Sequence, residues 1–226
     1  MPTSKRSRSA SNGAEVPVID PVVLADLVDG DAESLQSRES HDAERFEGAD
    51  LTDYDLEGSS FTECLLESLS SGGAKWRGSR FVECIVTDPF APVFDAPRTT
   101  WHSVRVERPR WGSAALFDSE FKNVHLVGGK IDYLNLRSSQ LTDVVIEGCS
   151  IGELDLGGVR ATRVALVDCR IGMLDVTGAT LRSFDLRSTE LGGVSGVDGL
   201  RGAVVDQGQL MLLAPLLAGH LGLVVE

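Results

Sequence analysis

The sequence is poor in the residues that chemistry needs. It has four histidines, His41, His102, His125 and His220, and no two of them share a short metal-ligand spacing. Its four cysteines include no Cys-X-X-Cys pair, which removes the common zinc patterns. Serines such as Ser113 lack a partner base. The Gly-Gly pairs at 72–73, 128–129, 157–158 and 192–193 do not form a phosphate-binding loop; they are expected at tight turns, where glycine is needed. These shortages exclude a recognisable catalytic constellation, so no enzyme activity, metal or cofactor is expected. Residues 1–15 are Ser-rich with Lys5, Arg6 and Arg8, and no apolar core follows them. They read as a disordered tail rather than a signal peptide. Three positive charges are too few to predict direct nucleic-acid binding. A cytoplasmic protein with reduced thiols is expected, and the apolar C-terminal stretch is too short to span a membrane.

What the sequence does have is register. From Phe46 to Leu191 every fifth residue is apolar over 30 positions, and only Ser71, Ala91, Ala96 and Ala161 are not large and apolar. A period of five fits neither a helix nor a strand; it marks an internal repeat. Two residues before each centre the side chain is usually small, as at Ala49, Ser59, Cys64, Ala74, Ser79, Cys84, Thr99, Ala114, Ser119, Ser139, Cys149 and Cys169. Immediately before the centre, Asp or Asn recurs: Asp50, Asp55, Asp95, Asn135, Asp155, Asp175, Asp185. A second period of 20 aligns Tyr133-Leu134-Asn135-Leu136, Glu153-Leu154-Asp155-Leu156 and Met173-Leu174-Asp175-Val176.

Units such as Ala49-Asp50-Leu51-Thr52-Asp53 and Leu154-Asp155-Leu156-Gly157-Gly158 resemble those of the pentapeptide-repeat family, over about Arg45 to Gly202. The resemblance implies an all-β solenoid, a right-handed quadrilateral β-helix. Four units make one coil, with the centre and the small residue turned inward. Seven to eight coils spaced ~4.8 Å apart give a rod roughly 35 Å long, whose ends must be covered. The expected organisation is a tail over 1–15, an acidic cap over 16–44, the β-helix over 45–202, and a helix and tail over 203–226. Asp206 is placed to cap a helix from about Gln207 to Leu221, kinked at Pro215. Leu210, Leu213, Leu216, Leu217 and Leu221 are its candidate cap and dimer residues, since in similar proteins such a helix also joins two rods. A homodimer through this helix is expected.

Several features fall outside the plain repeat. Cys64 and Cys84, and Cys149 and Cys169, are each one coil apart at the small inward site. They read as packing thiols rather than disulfides or a metal site. Pro89, Pro92, Pro97 and Pro109 crowd residues 88–110, where a distorted coil is favoured over a bulge. Val16–Glu67 holds 15 acids against two bases, whereas Phe81–Gly202 holds 16 against 13. Asp55, Asp95, Asn135, Asp155 and Asp175 form a candidate acidic stripe, read either as a partner surface or as turn hydrogen-bonding groups. Leu65, Ile85, Val145 and Ala165 form a candidate apolar interaction row, interrupted by Arg105 and His125.

Two functions of different class follow. One is a non-enzymatic rod acting as a protein-interaction scaffold for an unspecified protein partner. The other, implied by the resemblance, is a DNA-mimicking regulator of gyrase or another topoisomerase, as in quinolone-resistance members of the family. The mixed charge of the rod body weighs against the second, because a mimic needs a long continuous negative surface.

Overall fold

The computed structural model describes residues 14–224. Parallel strands stack with an offset of 20 residues, so Trp111 lies opposite Ile131, Ile131 opposite Ile151, and Ile151 opposite Ile171. The strands form one 13-stranded and one 7-stranded sheet, each staying on its own side of the molecule as the chain winds round. This is a parallel β-solenoid of about nine turns, or roughly 43 Å at the spacing of paired strands. The count exceeds the seven to eight expected because the ladder outruns the five-residue register at both ends. Val28–Asp29 pairs with Glu44–Arg45 before it begins, and Ala203–Val204 pairs with Phe184–Asp185 after it stops.

The centres line the core as expected. Leu51, Leu56, Phe61, Ile171, Val176 and Leu186 are fully buried. One column is aromatic: His41 stacks on Phe61 at 5.1 Å, Phe61 on Phe81 at 5.4 Å, Phe81 on Trp101 at 4.3 Å and Trp101 on Phe121 at 6.0 Å. The site two residues before the centre is not uniformly small. Val104, Val124, Val144, Val164 and Phe184 form one buried row there, and Phe94, Leu134, Leu154 and Leu174 another, broken by Ala114. These rows add large apolar columns beyond the four that the centres supply.

The proline-rich coil is regular. Phe90–Asp95 is a six-residue strand, in 20-residue register with Arg110–Ala115. Proline is tolerated because it falls where the repeat does not spend an amide on the ladder. In the columns of Pro89 and Pro97 later coils send that amide elsewhere: Gly129 N donates to the Cys149 sulfur at 3.4 Å, and Gly157 N to Asp155 Oδ1 at 2.9 Å. The proline carbonyls still accept, Pro89 from Arg110 N and Pro97 from Gly78 N. The small centres Ala91 and Ala96 leave space that Phe94, Trp76 and Trp111 fill. Phe94 stacks on Trp111 at 4.8 Å and lies 6.1 Å from Trp76.

The far end is closed by the helix Gln207–His220, which continues through Pro215. Asp206 caps it, and Gln209 returns the hydrogen bond to Asp206 N in a capping box. Gln209 also plugs the last coil: its buried Nε2 donates to the carbonyls of Leu186 and, at 2.7 Å, Thr189. At the near end Ala32–Ser34 makes a short 3-10 turn, and Leu35 is buried against the first coil. Residues 1–13, the bulk of the basic tail, lie outside the described residues.

Candidate interaction surfaces

Among the described residues no cluster of His, Cys, Asp and Glu is arranged to hold a metal ion, and no helix is long and apolar enough to cross a membrane.

The acidic stripe is one column, but it is not continuous. Its full order is Asp55, Lys75, Asp95, Ala115, Asn135, Asp155, Asp175. The side chains of Asp55, Asn135, Asp155 and Asp175 each accept from the amide two residues on, at 3.1, 3.1, 2.9 and 2.8 Å. Asp95 has no such donor, because the residue two on is Pro97. These are Asx turns that hold the corner of the coil. Thr177 holds the Asp175 carboxyl below its ordinary range, through its hydroxyl and then its amide. Asp155 is buried beneath Tyr133 Oη, which donates at 3.1 Å, and Arg137 Nη1 at 3.3 Å. Burial, and then this carboxylate, pushes the Tyr133 phenol up. Gly157, which the repeat places on the water-facing side, is buried in this cluster.

Elsewhere on the rod, acids pair with arginines one coil away. Arg108 forks onto Asp88 at 2.8 and 2.7 Å, Arg163 onto Asp143 at 2.6 and 2.6 Å, and Arg170 reaches Glu190 at 2.8 Å. Arg108 and Arg163 hold Asp88 and Asp143 below the usual carboxylate range.

The apolar row is likewise a single column: Arg45, Leu65, Ile85, Arg105, His125, Val145, Ala165, Asp185. Ala165 is buried and Leu65, Ile85 and Val145 are half-buried. Arg105 Nη1 and His125 Nδ1 meet at 2.9 Å and His125 Nε2 reaches Glu147 at 2.8 Å, so the gap in the row is a hydrogen-bonded chain. A more exposed apolar patch lies on the other sheet, where Phe90 and Val93 are each 50% exposed. Both sit outside the inward positions of the repeat.

The cysteines are free and buried. Cys64, Cys84 and Cys169 donate to the carbonyls of His41, Phe61 and Ile146 at 3.5, 3.3 and 3.3 Å. Ser79 and Ser139 make the same bond to Leu56 and Leu116 at 2.7 and 3.1 Å. Thiol and hydroxyl thus serve one packing role. The adjacent Cys64 and Cys149 sulfurs, together with burial, raise the thiols of Cys84 and Cys169 above their ordinary range.

The C-terminal helix buries only Gln209 and Leu213. Leu217 is half-buried, while Leu210 is 49%, Met211 75%, Leu212 50%, Leu216 44% and Leu221 72% exposed. Of the five leucines assigned to cap and dimer together, Leu213 is the cap residue. Leu210, Leu216 and Leu221 face solvent.

The segment read from the sequence as the end of the tail and the start of the acidic cap lies away from the first coil. From Glu15 to Asp20 the chain runs along the outside of the rod, across successive coils. Glu15 N donates to Ser183 Oγ at 3.1 Å, Val18 N to Asp143 Oδ1 at 3.1 Å and Asp20 N to Asn123 Oδ1 at 3.0 Å.

No family model and no curated protein matches the sequence. The fold has solved counterparts. HetL, a pentapeptide-repeat protein involved in heterocyst differentiation regulation from the cyanobacterium Nostoc sp. strain PCC 7120, is 14% identical with a TM-score of 0.50, over 76% of this chain and 93% of that one. QnrB1, a plasmid-mediated fluoroquinolone resistance protein, is 16% identical with a TM-score of 0.46, over 84% of this chain and 91% of its own. With five-residue units, a 20-residue coil and inward centres stacked in parallel ladders, this chain has the fold of a pentapeptide-repeat protein.

Proposed function

We propose that the protein is a non-enzymatic rod that works in the cytoplasm as a protein-interaction scaffold, and that it is a homodimer joined through its C-terminal helix. The observation that carries the dimer is the helix itself. A cap needs one apolar face, yet Leu210, Met211, Leu212, Leu216 and Leu221 are all left in water after Leu213 has closed the coil. A two-fold contact between helices hides such a surface in both copies at once. The rod then offers flat β faces on either side of the joint to a protein partner. Light scattering tests this. Wild type should be a dimer at tens of micromolar, and Leu210→Glu with Leu216→Glu should be a monomer with unchanged far-UV dichroism, because neither residue closes the coil; its melting temperature should fall only by what dimerisation contributes. A wild-type monomer at that concentration would leave the helix as a cap alone.

One observation favours the DNA-mimic reading: the excess of 15 acids over two bases across Val16–Glu67. Against it stand the Asp88–Arg108, Asp143–Arg163 and Arg170–Glu190 pairs, which neutralise the rod where a mimic needs an unbroken row of charge. Inhibition of gyrase supercoiling by low micromolar protein would promote this reading; none at a hundred micromolar would end it.

A further inference from the structure

The column Ser103, Asn123, Asp143, Arg163, Ser183 lies where each strand of the larger sheet bends, and all five residues have φ between 52° and 55°. The bend turns their side chains out in a line along the rod. They brace one another: Asn123 Nδ2 donates to Ser103 Oγ at 3.0 Å, and Arg163 forks onto Asp143. Against this line lies the extended N-terminal segment. Three of its contacts run from a main-chain amide to a side-chain oxygen, and one is an ion pair, Arg163 Nη1 to Glu15 Oε2 at 3.7 Å.

The match is one of pitch. Glu15 and Val18 are three residues apart, about 10 Å in an extended chain, and their acceptors Ser183 and Asp143 are two coils apart, also about 10 Å. The column therefore reads an extended backbone at the spacing the rod imposes, with little demand on side chains beyond a carboxylate opposite Arg163. Pro17 and Ile19 are half-buried on the rod side, while Val16 and Val18 stay 76% and 62% exposed. The segment is tied to its column by contacts 103 to 168 residues away in sequence, so nothing local fixes it there.

We propose that this column is a docking track for an extended peptide, that residues 14–24 occupy it in cis, and that a segment of a partner protein with the same chemistry takes it by displacing them. The matching segment is extended, carries a carboxylate at the position of Glu15, and has free amides there and three and five residues on. The covalent tie gives the cis segment an effective concentration of order millimolar, so it screens out weak or mismatched peptides. This proposal is independent of the dimer.

The test uses a fluorescein-labelled synthetic peptide of residues 14–24 and the full chain. Glu15→Lys with Val18→Pro weakens the cis segment by reversing its ion pair and removing the amide that Asp143 accepts, without touching a coil. This variant should bind the peptide at least ten-fold more tightly than wild type. Adding Asn123→Ala and Asp143→Ala should abolish the gain, with melting followed by dichroism to show that the rod persists. If those column substitutions unfold it, a peptide N-methylated at the Val18 and Asp20 amides makes the same test on the intact protein and should not bind. Equal binding to wild type and the strap variant, no binding to either at millimolar peptide, or binding that survives loss of the acceptors or of the peptide amides would each overturn the proposal. If light scattering shows that the strap variant alone turns a dimer into a monomer, the track belongs to a second copy's segment instead, which overturns the partner assignment.

Discussion

The coils before Phe90 and those after it use the same five-residue register to build different walls. In the early coils the strands are short: Ser60–Thr62, Leu65–Glu67, Arg80–Val82 and Ile85–Thr87 have three residues each, and the opposite wall is reduced to isolated bridges such as Asp50 to Ser70 and Asp55 to Lys75. In the later coils the strands run to eight and six residues, as in Thr100–Glu107 and Arg110–Ala115. The corner explains the difference on the second wall. At Asp53 and Gly73 the chain makes a tight left-handed turn, with φ of 61° and 76°, closed by Tyr54 N to Leu51 O and Ala74 N to Ser71 O. From Val93 onward the matching residues stay out of that region, and the strand continues round an open corner. A tight corner draws the next residue in close, so Ala74 serves there; an open corner leaves room that Phe94, Leu134, Leu154 and Leu174 fill. Register fixes which residues point inward, and on this wall the open corner admits a larger one, although Ala114 stays small at an open corner and Val159 fills a tight one elsewhere on the coil.

The largest test of this contrast is a pair of deletions. Removing Ile151 to Arg170 takes out one coil and keeps every later corner stacked on its own kind, so the rod should stay folded with stability lowered by about one coil's stacking. Removing five residues, Gly152 to Leu156, would set open corners against tight ones in every later coil, and far-UV dichroism should show loss of the fold. Equal outcomes would mean that corner type does not matter.

Single substitutions sharpen the same point. Leu154→Ala should cost about 2–5 kcal/mol in denaturant unfolding, the range for an unfilled core cavity. Ser79→Leu should cost about 1–3 kcal/mol by overpacking a tight corner; it also removes the bond to the Leu56 carbonyl.

Proline separates ladder amides from idle ones. Arg80 N donates to Ser59 O at 2.9 Å, so Arg80→Pro should cost about 3 kcal/mol or more. Arg77 lies in the column of Pro97 and is exposed; Arg77→Pro should change stability by less than about 1 kcal/mol. Similar losses from both would refute the account of the proline-rich coil.

The smallest expected effect is electrostatic. Asp143 is held below its ordinary range by Arg163. A carboxyl depressed in the folded state stabilises above its unfolded value near 3.9, and the contribution is lost as pH falls through the folded value. Asp143→Asn should therefore lower the melting temperature at pH 7 and flatten its decline below about pH 4. A parallel decline in both proteins would show that the pair adds nothing.

The inward centres, the 20-residue coil, the capped helix from Gln207 and the packing thiols were all legible from residue type and spacing. The acidic stripe was legible as a column, and the turn reading favoured for it agrees with the bonds that Asp55, Asn135, Asp155 and Asp175 accept from the amides two residues on. Gln209 was signalled only by the Asp206-X-X-Gln209 capping box; its bonds to Leu186 and Thr189 depend on where the last coil ends. The large rows at Val104 and Leu134 were hidden by a consensus that treats the four faces of the coil as one.

The sequence by itself determined the period, the inward columns and therefore the solenoid, because a residue and its neighbour in the next coil are separated by a fixed number of covalent steps. Only the tertiary structure decided which corners open, how Phe94 fills the room beside Ala91 and Ala96, and where residues 14–24 lie. Those outcomes turn on contacts between segments with no fixed spacing, such as Glu15 with Ser183, and such contacts leave no repeat for the sequence to display.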